Sequence, residues 1–517
     1  MRGSMHRFLF VGGVVFLLAF ALIAAGYGPA AAEQKGGVTI ATYFPLFYQR
    51  GGDPATHSSG YPVVSQHVFD SLIWADREQN QKPGLAKSWT VKGGWTDMTF
   101  DLRDDVKFHN GDPLTAEDVK FSLETYVRPE LKYIFQPLWV RNIKQVEVLG
   151  PHQVRIVLNH PDPGFLGRMW WGGGIMPKKY REKVGDEGFA AKPVGTGSFK
   201  WVGYKQDVYW EAEALPKHFR FTPSYKTLKV MYVPEHSTRL AMLRAGEADL
   251  IDAIGPHIPE IKADPKLRVI YCLYPYAQTI AFADLVAPNE PSPFLDMRVR
   301  KALSLAIDRD TICKKVLFGA AEPYGELLAP ITWGFDPTVK PDPYDPEKSK
   351  KLLAEAGYPN GFTTTINTTA GNKFWFEAVA GNLSDVGIKT DIKVFEGGAY
   401  QDGFRARKLR GLISRTLWWH CEKHASADAS DMFLKIMPGA YVTTDEISKE
   451  IITGMSAQSE EDMIAAGKKL SKTIRDAGVV AVLWAIYNPY GVSDKIAFWE
   501  PQLGAIPATA WEFIRLK

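Results

Sequence analysis

Thr99-Phe100-Asp101-Leu102-Arg103-Asp104-Asp105-Val106-Lys107-Phe108-His109-Asn110-Gly111 leads, after Asp112, into Pro113-Leu114-Thr115-Ala116-Glu117-Asp118-Val119. Met98, Phe100 and Leu102 alternate with polar residues, which gives a strand one apolar face. Val106 and Phe108 resume the alternation, and Asn110-Gly111 supplies a turn that accepts positive φ. Thr115 and Asp118 have the spacing of a capping box, so a helix opens there and runs through Tyr126, stopping before Pro129. Strand, turn and capped helix in close succession predict a mixed α/β architecture rather than a bundle or a barrel.

The pattern continues in both directions. Toward the N-terminus, Val64, Val68 and Leu72 are spaced by four and predict a helix, and 38–42 alternates as a first strand. Toward the C-terminus, two strands, Gln145–Leu149 and Gln153–Leu158, flank Gly150-Pro151. Pro193-Val194-Gly195-Thr196-Gly197-Ser198-Phe199 reads as a hinge-like Gly/Pro element. A strand at Leu228–Val233 precedes a helix that carries Leu240 and Leu243 and ends near Gly246, and Arg268–Ala283 is a long β-rich run. Val299, Leu303, Ala306 and Ile307 recur at helical spacing, with the arginines expected outside. A second helix is expected from Asp310 to Phe318 with Gly319 ending it. Asp345-Pro346-Glu347 sets an N-cap, a proline in the first turn and an acid on the helix dipole. Phe374–Val386 reads as a helix feeding a strand at Lys389–Val394.

The chain has 517 residues, 45% of them hydrophobic, and a formal charge of +3. That length suggests about two to four domains, and a near-neutral balance argues against a nucleic-acid partner. Arg2, His6 and Arg7 precede an apolar run, Phe8 to Ala25, and Ala30-Ala31-Ala32 offers the small-residue pattern of signal-peptidase cleavage before Glu33. Residues 1–32 are therefore read as a cleaved signal peptide, which makes the mature protein a periplasmic one. Cys272, Cys313 and Cys421 are too few for a disulfide framework, although one pair can close in an oxidising compartment. No P-loop, G-x-S-x-G or G-x-G-x-x-G fingerprint occurs, so no catalytic residue is assigned and no cofactor is expected.

Several segments together resemble the family-5 extracellular solute-binding proteins of ABC transporters, the oligopeptide, dipeptide and nickel binders. They are Gly84-Leu85-Ala86-Lys87-Ser88-Trp89, the 99–119 block, Pro193 to Gly197 and Leu243-Arg244-Ala245-Gly246-Glu247-Ala248-Asp249. Asp296-Met297-Arg298-Val299-Arg300-Lys301-Ala302-Leu303 and Tyr344-Asp345-Pro346-Glu347-Lys348 complete the set. The resemblance implies a two-lobed periplasmic-binding-protein fold (type II, three domains) with a hinge. Lobe 1 would comprise 33–75, 195–267 and 489–517; 76–194 would be an inserted domain, and 268–488 lobe 2. It further implies a monomer that hands a peptide-like solute to an ABC permease in the inner membrane.

Aromatic residues mark the expected binding site. Fifteen tryptophans is a generous number, and rigid rings with an N–H or O–H give contact area at small entropic cost. Tyr43 and Phe44 follow the first strand, Trp170-Trp171 precede three glycines, and Trp418-Trp419 precede a polar stretch. In peptide-binding relatives the region after that tryptophan carries an aspartate that pairs with a peptide's α-ammonium group, and here Glu422 and Asp428 are the candidates for that role. The alternative is a metal or metal chelate: His420, His424 and Asp428 are spaced by four, so a helix through them would align three ligands.

Overall fold

The structure is a computed structural model that describes residues 34–43, 51–56, 64–131, 139–140, 142–287, 289–417, 423–434, 440, 444–502 and 510–517. Its first strand, β1 (Gly37–Thr42), is followed by β2 (Ile73–Ala75), β3 (Gln81–Pro83), β4 (Ala86–Lys92), β5 (Asp97–Leu102), β6 (Ile143–Gly150) and β7 (Gln153–Leu158). Next come β8 (Phe199–Lys205), β9 (Tyr209–Ala214), β10 (Thr227–Tyr232), β11 (Leu250–Asp252), β12 (Leu267–Phe282) and β13 (Ala321–Pro323). The remainder are β14 (Phe362–Thr369), β15 (Ile388–Phe395), β16 (Leu412–Leu417), β17 (Val480–Ser493), β18 (Ile496–Phe498) and β19 (Arg515–Leu516).

One long sheet runs β15-β14-β16-β12-β17-β11-β1-β10-β9-β8, and β13 joins it on β17. Its two ends are the sheets of the two lobes. In the first, β1 lies parallel between β10 and β11; in the second, β14 lies parallel between β15 and β16. The antiparallel pair β12 and β17 passes from one to the other: Leu267 to Leu273 faces Ser493 to Tyr487 on the β11 side, and after a register shift Ala277 to Ala281 faces Ala485 to Val480 on the β16 side. A bulge interrupts a ladder and bends it, so the Leu273/Ala277 shift is where this ribbon can flex. A separate four-stranded antiparallel sheet, β4-β5-β7-β6, carries the sequence block read first.

That block folds largely as read. Met98, Phe100 and Leu102 are buried on one face of β5, and Thr115 and Asp118 form the capping box of helix Ala116–Tyr126. Asp118 also accepts the backbone N–H of Lys178 at 2.9 Å, so the cap ties two helices together. The turn at Asn110-Gly111 forms as read, with Gly111 at φ 94°, but the pairing around it reduces to one bridge between Lys107 and Pro113, because the polar run Arg103–Asp105 breaks the apolar alternation.

Other expectations are corrected. The helix expected over Val64–Leu72 is a single turn, Ser65–Val68, because Phe69 is extended and Asp70 is drawn into a buried charge network. Pro193–Phe199 is not a crossing between lobes: a Cβ on Gly195 would sit 2.0 Å from the Val68 carbonyl, and one on Gly197 2.3 Å from that of His67. Glycine is needed there for close backbone packing within the first lobe. Helix Met297–Leu305 does not keep all its arginines outside. Arg298 is exposed, but Arg300 is buried and donates to the carbonyls of Phe294 and Gly478 at 2.7 and 2.8 Å. Arg309 is buried as well and donates to Ser304 and Val482. The expected helix Asp310–Phe318 is one α-turn, Arg309–Thr311, running into a π-helical turn, Ile312–Val316.

Cys272 and Cys313 are both buried and are not disulfide-bonded to each other; burial pushes each thiol up to about 12. Cys421 lies outside the described residues. Among the described residues no helix is long and apolar enough to cross a membrane; the apolar run Phe8–Ala25 lies outside them.

Candidate functional site

Ligands of open α/β sheets bind outside the carboxyl ends of parallel strands, where flanking connections diverge. Here both parallel sets end toward the β12–β17 crossing. β11 advances from Val492 toward Tyr490 along β17, and β16 advances from Phe282 toward Ala277 along β12. The carboxyl edges of the two lobes therefore converge on the bulged middle of the ribbon.

On the first-lobe edge, three consecutive loops bring together Tyr43 after β1, His236 after β10 and His257 after β11. The ring of His236 stands 6.3 Å from that of Tyr43 and 6.3 Å from that of His257. Beneath them Arg239 is fully buried and lies 5.3 Å below the Tyr43 ring. Asp252 is buried at the end of β11 and accepts the Tyr43 backbone N–H at 3.2 Å. Burial pushes its carboxyl up to about 6, against the opposing pull of the Thr42 hydrogen bond and the Arg239 charge. Just beyond, Gly255 meets the second lobe: a Cβ there would lie 3.2 Å from the Phe318 ring and 3.3 Å from the Leu317 carbonyl.

A cavity of about 510 Å³ opens beside the β2–β3 hairpin. Trp74, Phe221, Phe498 and Phe513 give it aromatic walls, and Asp76, Glu78, Arg77 and Arg220 give it charges of both signs. Its volume is within the range of about 300–1,000 Å³ usual for small-molecule sites. From beyond β16, Lys423 reaches the same hairpin and donates to Asn80 at 2.8 Å. Burial lowers the Lys423 ammonium from its ordinary value, against the raising effect of nearby Asp76 and Glu460.

A smaller recess of about 40 Å³ shares Trp74, Arg220 and Phe513 with this cavity and is lined by Trp170. Under it lies a buried charge network. Arg220 bridges Asp70 and Glu512, each at 3.2 Å, His218 meets Asp70 at 3.1 Å, and His67 meets Glu512 at 3.2 Å. Burial alone would raise Glu512, yet its bond and charge interaction with His67 and the charge of Arg220 bring it down to about 2.

The structure places the sequence-predicted residues unevenly. Tyr43 is at the first-lobe edge, 38% exposed. Trp170 is buried in helix Phe165–Gly172 and Trp171 is half-buried in the same helix. Phe44, Trp418, Trp419, His420 and Glu422 lie outside the described residues, and Asp428 is in helix Ala425–Phe433 with its side chain undescribed. Of the three metal-ligand candidates, His424 does not share a helix with Asp428, and His420 lies outside the described residues. The helix begins at Ala425, and His424 is its N-cap, buried, with Nδ1 accepting the Ala427 N–H at 3.1 Å. Sequence reasoning missed His236, Arg239, Asp252 and His257. Their one signal was position, directly after the ends of adjacent strands.

The sequence profile of bacterial extracellular solute-binding proteins, family 5 (middle region), matches residues 80–420. The chain is 31% identical over 397 residues to heme-binding protein A of Haemophilus influenzae, covering 70% of this chain and 71% of that one. It is 29% identical over 413 residues to di/tripeptide-binding protein 2 of Pseudomonas aeruginosa, covering 74% and 76%. Among solved structures, HbpA2 of Haemophilus parasuis superposes with a TM-score of 0.80 at 21% identity, covering 93% of this chain and all of that one. The periplasmic binding protein DppA of Helicobacter pylori, in complex with the peptide STSA, gives 0.72 at 24% identity, covering 94% and 98%. A profile match over most of the chain, on a sheet with this crossing, settles the kinship: the chain belongs to the family-5 bacterial extracellular solute-binding proteins.

Proposed function

We propose that this protein is the periplasmic substrate-binding component of an ABC importer and that its solute is a short peptide. The observation that carries the reading is the convergence of two carboxyl edges, β1/β10/β11 and β14/β15/β16, on one bulged two-strand crossing. Open lobes admit solute, contacts from both lobes favour the closed form, and the permease reads that form. A peptide suits a site that offers aromatic surface beside charges of both signs, and relatives named for di/tripeptides support it. The lobes are assigned as 33–75 with 195–267 and 489–517, and 268–488, with 76–194 inserted. Tyr43, Phe44, Trp170, Trp171, Trp418 and Trp419 supply contact area, and Glu422 or Asp428 meets the α-ammonium. The leader is removed after Ala32, and the mature chain acts as a monomer without chemistry on its cargo.

The test is native mass spectrometry of protein exported with its own leader, followed by calorimetric titration with di- and tripeptides. A co-purifying peptide and dissociation constants near the micromolar range, about −8 kcal/mol, are expected, with at least tenfold loss in a Trp418→Ala/Trp419→Ala variant. A protein indifferent to peptides but stabilised by nickel, zinc or their chelates would overturn the cargo assignment.

A further inference from the structure

Arg239 is 0% exposed, yet among the described residues it forms no ion pair with a carboxylate. Its guanidinium donates to the carbonyls of Asp252 (2.9 Å), Val233 (2.6 Å) and Pro234 (3.0 Å), and to Nδ1 of His236 (2.5 Å). All four acceptors are neutral. The buried Asp252 carboxylate interacts with the Arg239 charge without a hydrogen bond to the guanidinium, so the cation is balanced within the lobe and this edge offers a ligand hydrogen-bond donors.

The same arrangement fixes the face that His236 presents. Because Arg239 can only donate, His236 Nδ1 accepts, and the neutral ring carries its proton on Nε2, on the far side from the guanidinium. His236 is exposed and opens helix His236–Ala245, whose N-terminus has no side-chain cap. The first-turn N–H groups and the helix dipole thus add donors on the same edge. His257 supplies an independent sign. Its side chain is 9% exposed, its ring stands at 74° to that of His236, and its Nδ1 is buried with no hydrogen-bond partner. Buried polar atoms in native proteins are nearly always paired, so an orphan beside an accessible donor marks a place for a ligand atom.

We infer that the edge formed by Tyr43, His236 and His257, with Arg239 beneath it, binds a carboxylate group of the solute. Two oxygens accept from His236 Nε2 and the helix N-terminus, one of them also satisfies His257 Nδ1, and Arg239 acts from beneath by holding the His236 ring in the tautomer that donates outward. The transport reading gives the site its purpose: a free acid terminus or an acidic side chain docks on the first lobe while the amine end meets the second.

The test uses the mature full chain with histidine imidazoles isotope-labelled, titrated with a dipeptide, the same dipeptide amidated at its C-terminus, and acetylglycine. The free acid should move the His236 and His257 signals and bind at least tenfold tighter than the amide, with His257→Phe or His236→Ala removing the difference. A dipeptide that binds equally well as acid and amide, with both imidazoles stationary, overturns the carboxylate site and leaves the peptide importer intact. Acetylglycine moving both signals while no peptide binds keeps the site and discards the peptide reading. Silence from all three discards both.

Discussion

Lys423, just beyond β16, donates to the side-chain carbonyl of Asn80 in the β2–β3 turn at 2.8 Å. Residues 343 positions apart thus join the second lobe to the hairpin that borders the 510 Å³ cavity. On the two-lobed reading the contact breaks when the lobes separate, which assigns it to the free energy of closure rather than of folding. Lys423→Ala should weaken solute binding about two- to fivefold, the worth of one partly solvated hydrogen bond to a charged donor. The unliganded melting temperature should stay unchanged. Calorimetry and thermal melts read the two separately; a large drop in melting temperature would make Lys423 a folding contact.

His109 links the first-read motif to the first lobe. Its Nε2 lies 2.9 Å from the Gly197 carbonyl, and burial depresses it from 6.5 to about 4. A depressed folded value means the unfolded chain takes up the proton first. The stabilisation is complete above pH 6.5 and is lost as pH falls through about 4. The ceiling is about 3 kcal/mol, at 1.36 kcal/mol per pH unit. Denaturant midpoints between pH 7 and 4.5 should fall less steeply in His109→Gln than in the parent. Identical slopes would remove His109 from the acid response.

Arg220 is shared by Asp70 and Glu512, and all three are buried. Removing the cation leaves Asp70 and Glu512 with only His218 and His67 as charged partners, and breaking a buried pair costs about 3–5 kcal/mol. Arg220→Met should lower stability by that order in equilibrium unfolding. Adding Asp70→Asn and Glu512→Gln should recover a substantial part, because the stranded charges disappear. No recovery would mean that the packing of Arg220 against Trp74, 5.3 Å away, matters more than its charge.

Local chemistry made much of this legible in the sequence. The capping box at Thr115, the N-cap at Asp345 and the glycine stop at Gly246 act within a few residues of themselves, and each forms as read. What failed depends on partners far along the chain. Gly195 and Gly197 resemble a hinge by composition, but the backbone of His67 and Val68 fixes their role. Arg300 looked like a solvent-facing helix residue until the 477–478 carbonyls arrived to accept from it. For the site, the aromatic signal led to Tyr43 and to Trp170. The His236–Arg239–Asp252–His257 cluster assembles only when three strands align, and no local pattern encodes that.

Closure itself should respond to a single methyl group. Gly255 faces Leu317 and Phe318 across the lobes, and Phe318 holds a left-handed backbone (φ 52°) beside Gly319. A non-glycine residue there stores strain that surrounding contacts must hold. A Cβ on Gly255 would press 3.2 Å from the Phe318 ring and 3.3 Å from the Leu317 carbonyl, closer than ordinary contact. The ring can yield; the carbonyl yields less, and separating the lobes relieves both. Gly255→Ala should therefore shift the population toward the open form, raising the scattering radius of the unliganded protein and weakening solute by the fraction of closed form lost. The three atoms nearest the methyl all belong to Leu317 and Phe318, so the melting temperature should hold. Phe318→Ala in the same background should restore affinity in part. If instead the radius is unchanged while stability falls, the contact is a static seam between lobes and closure is governed by the β12–β17 bulge alone.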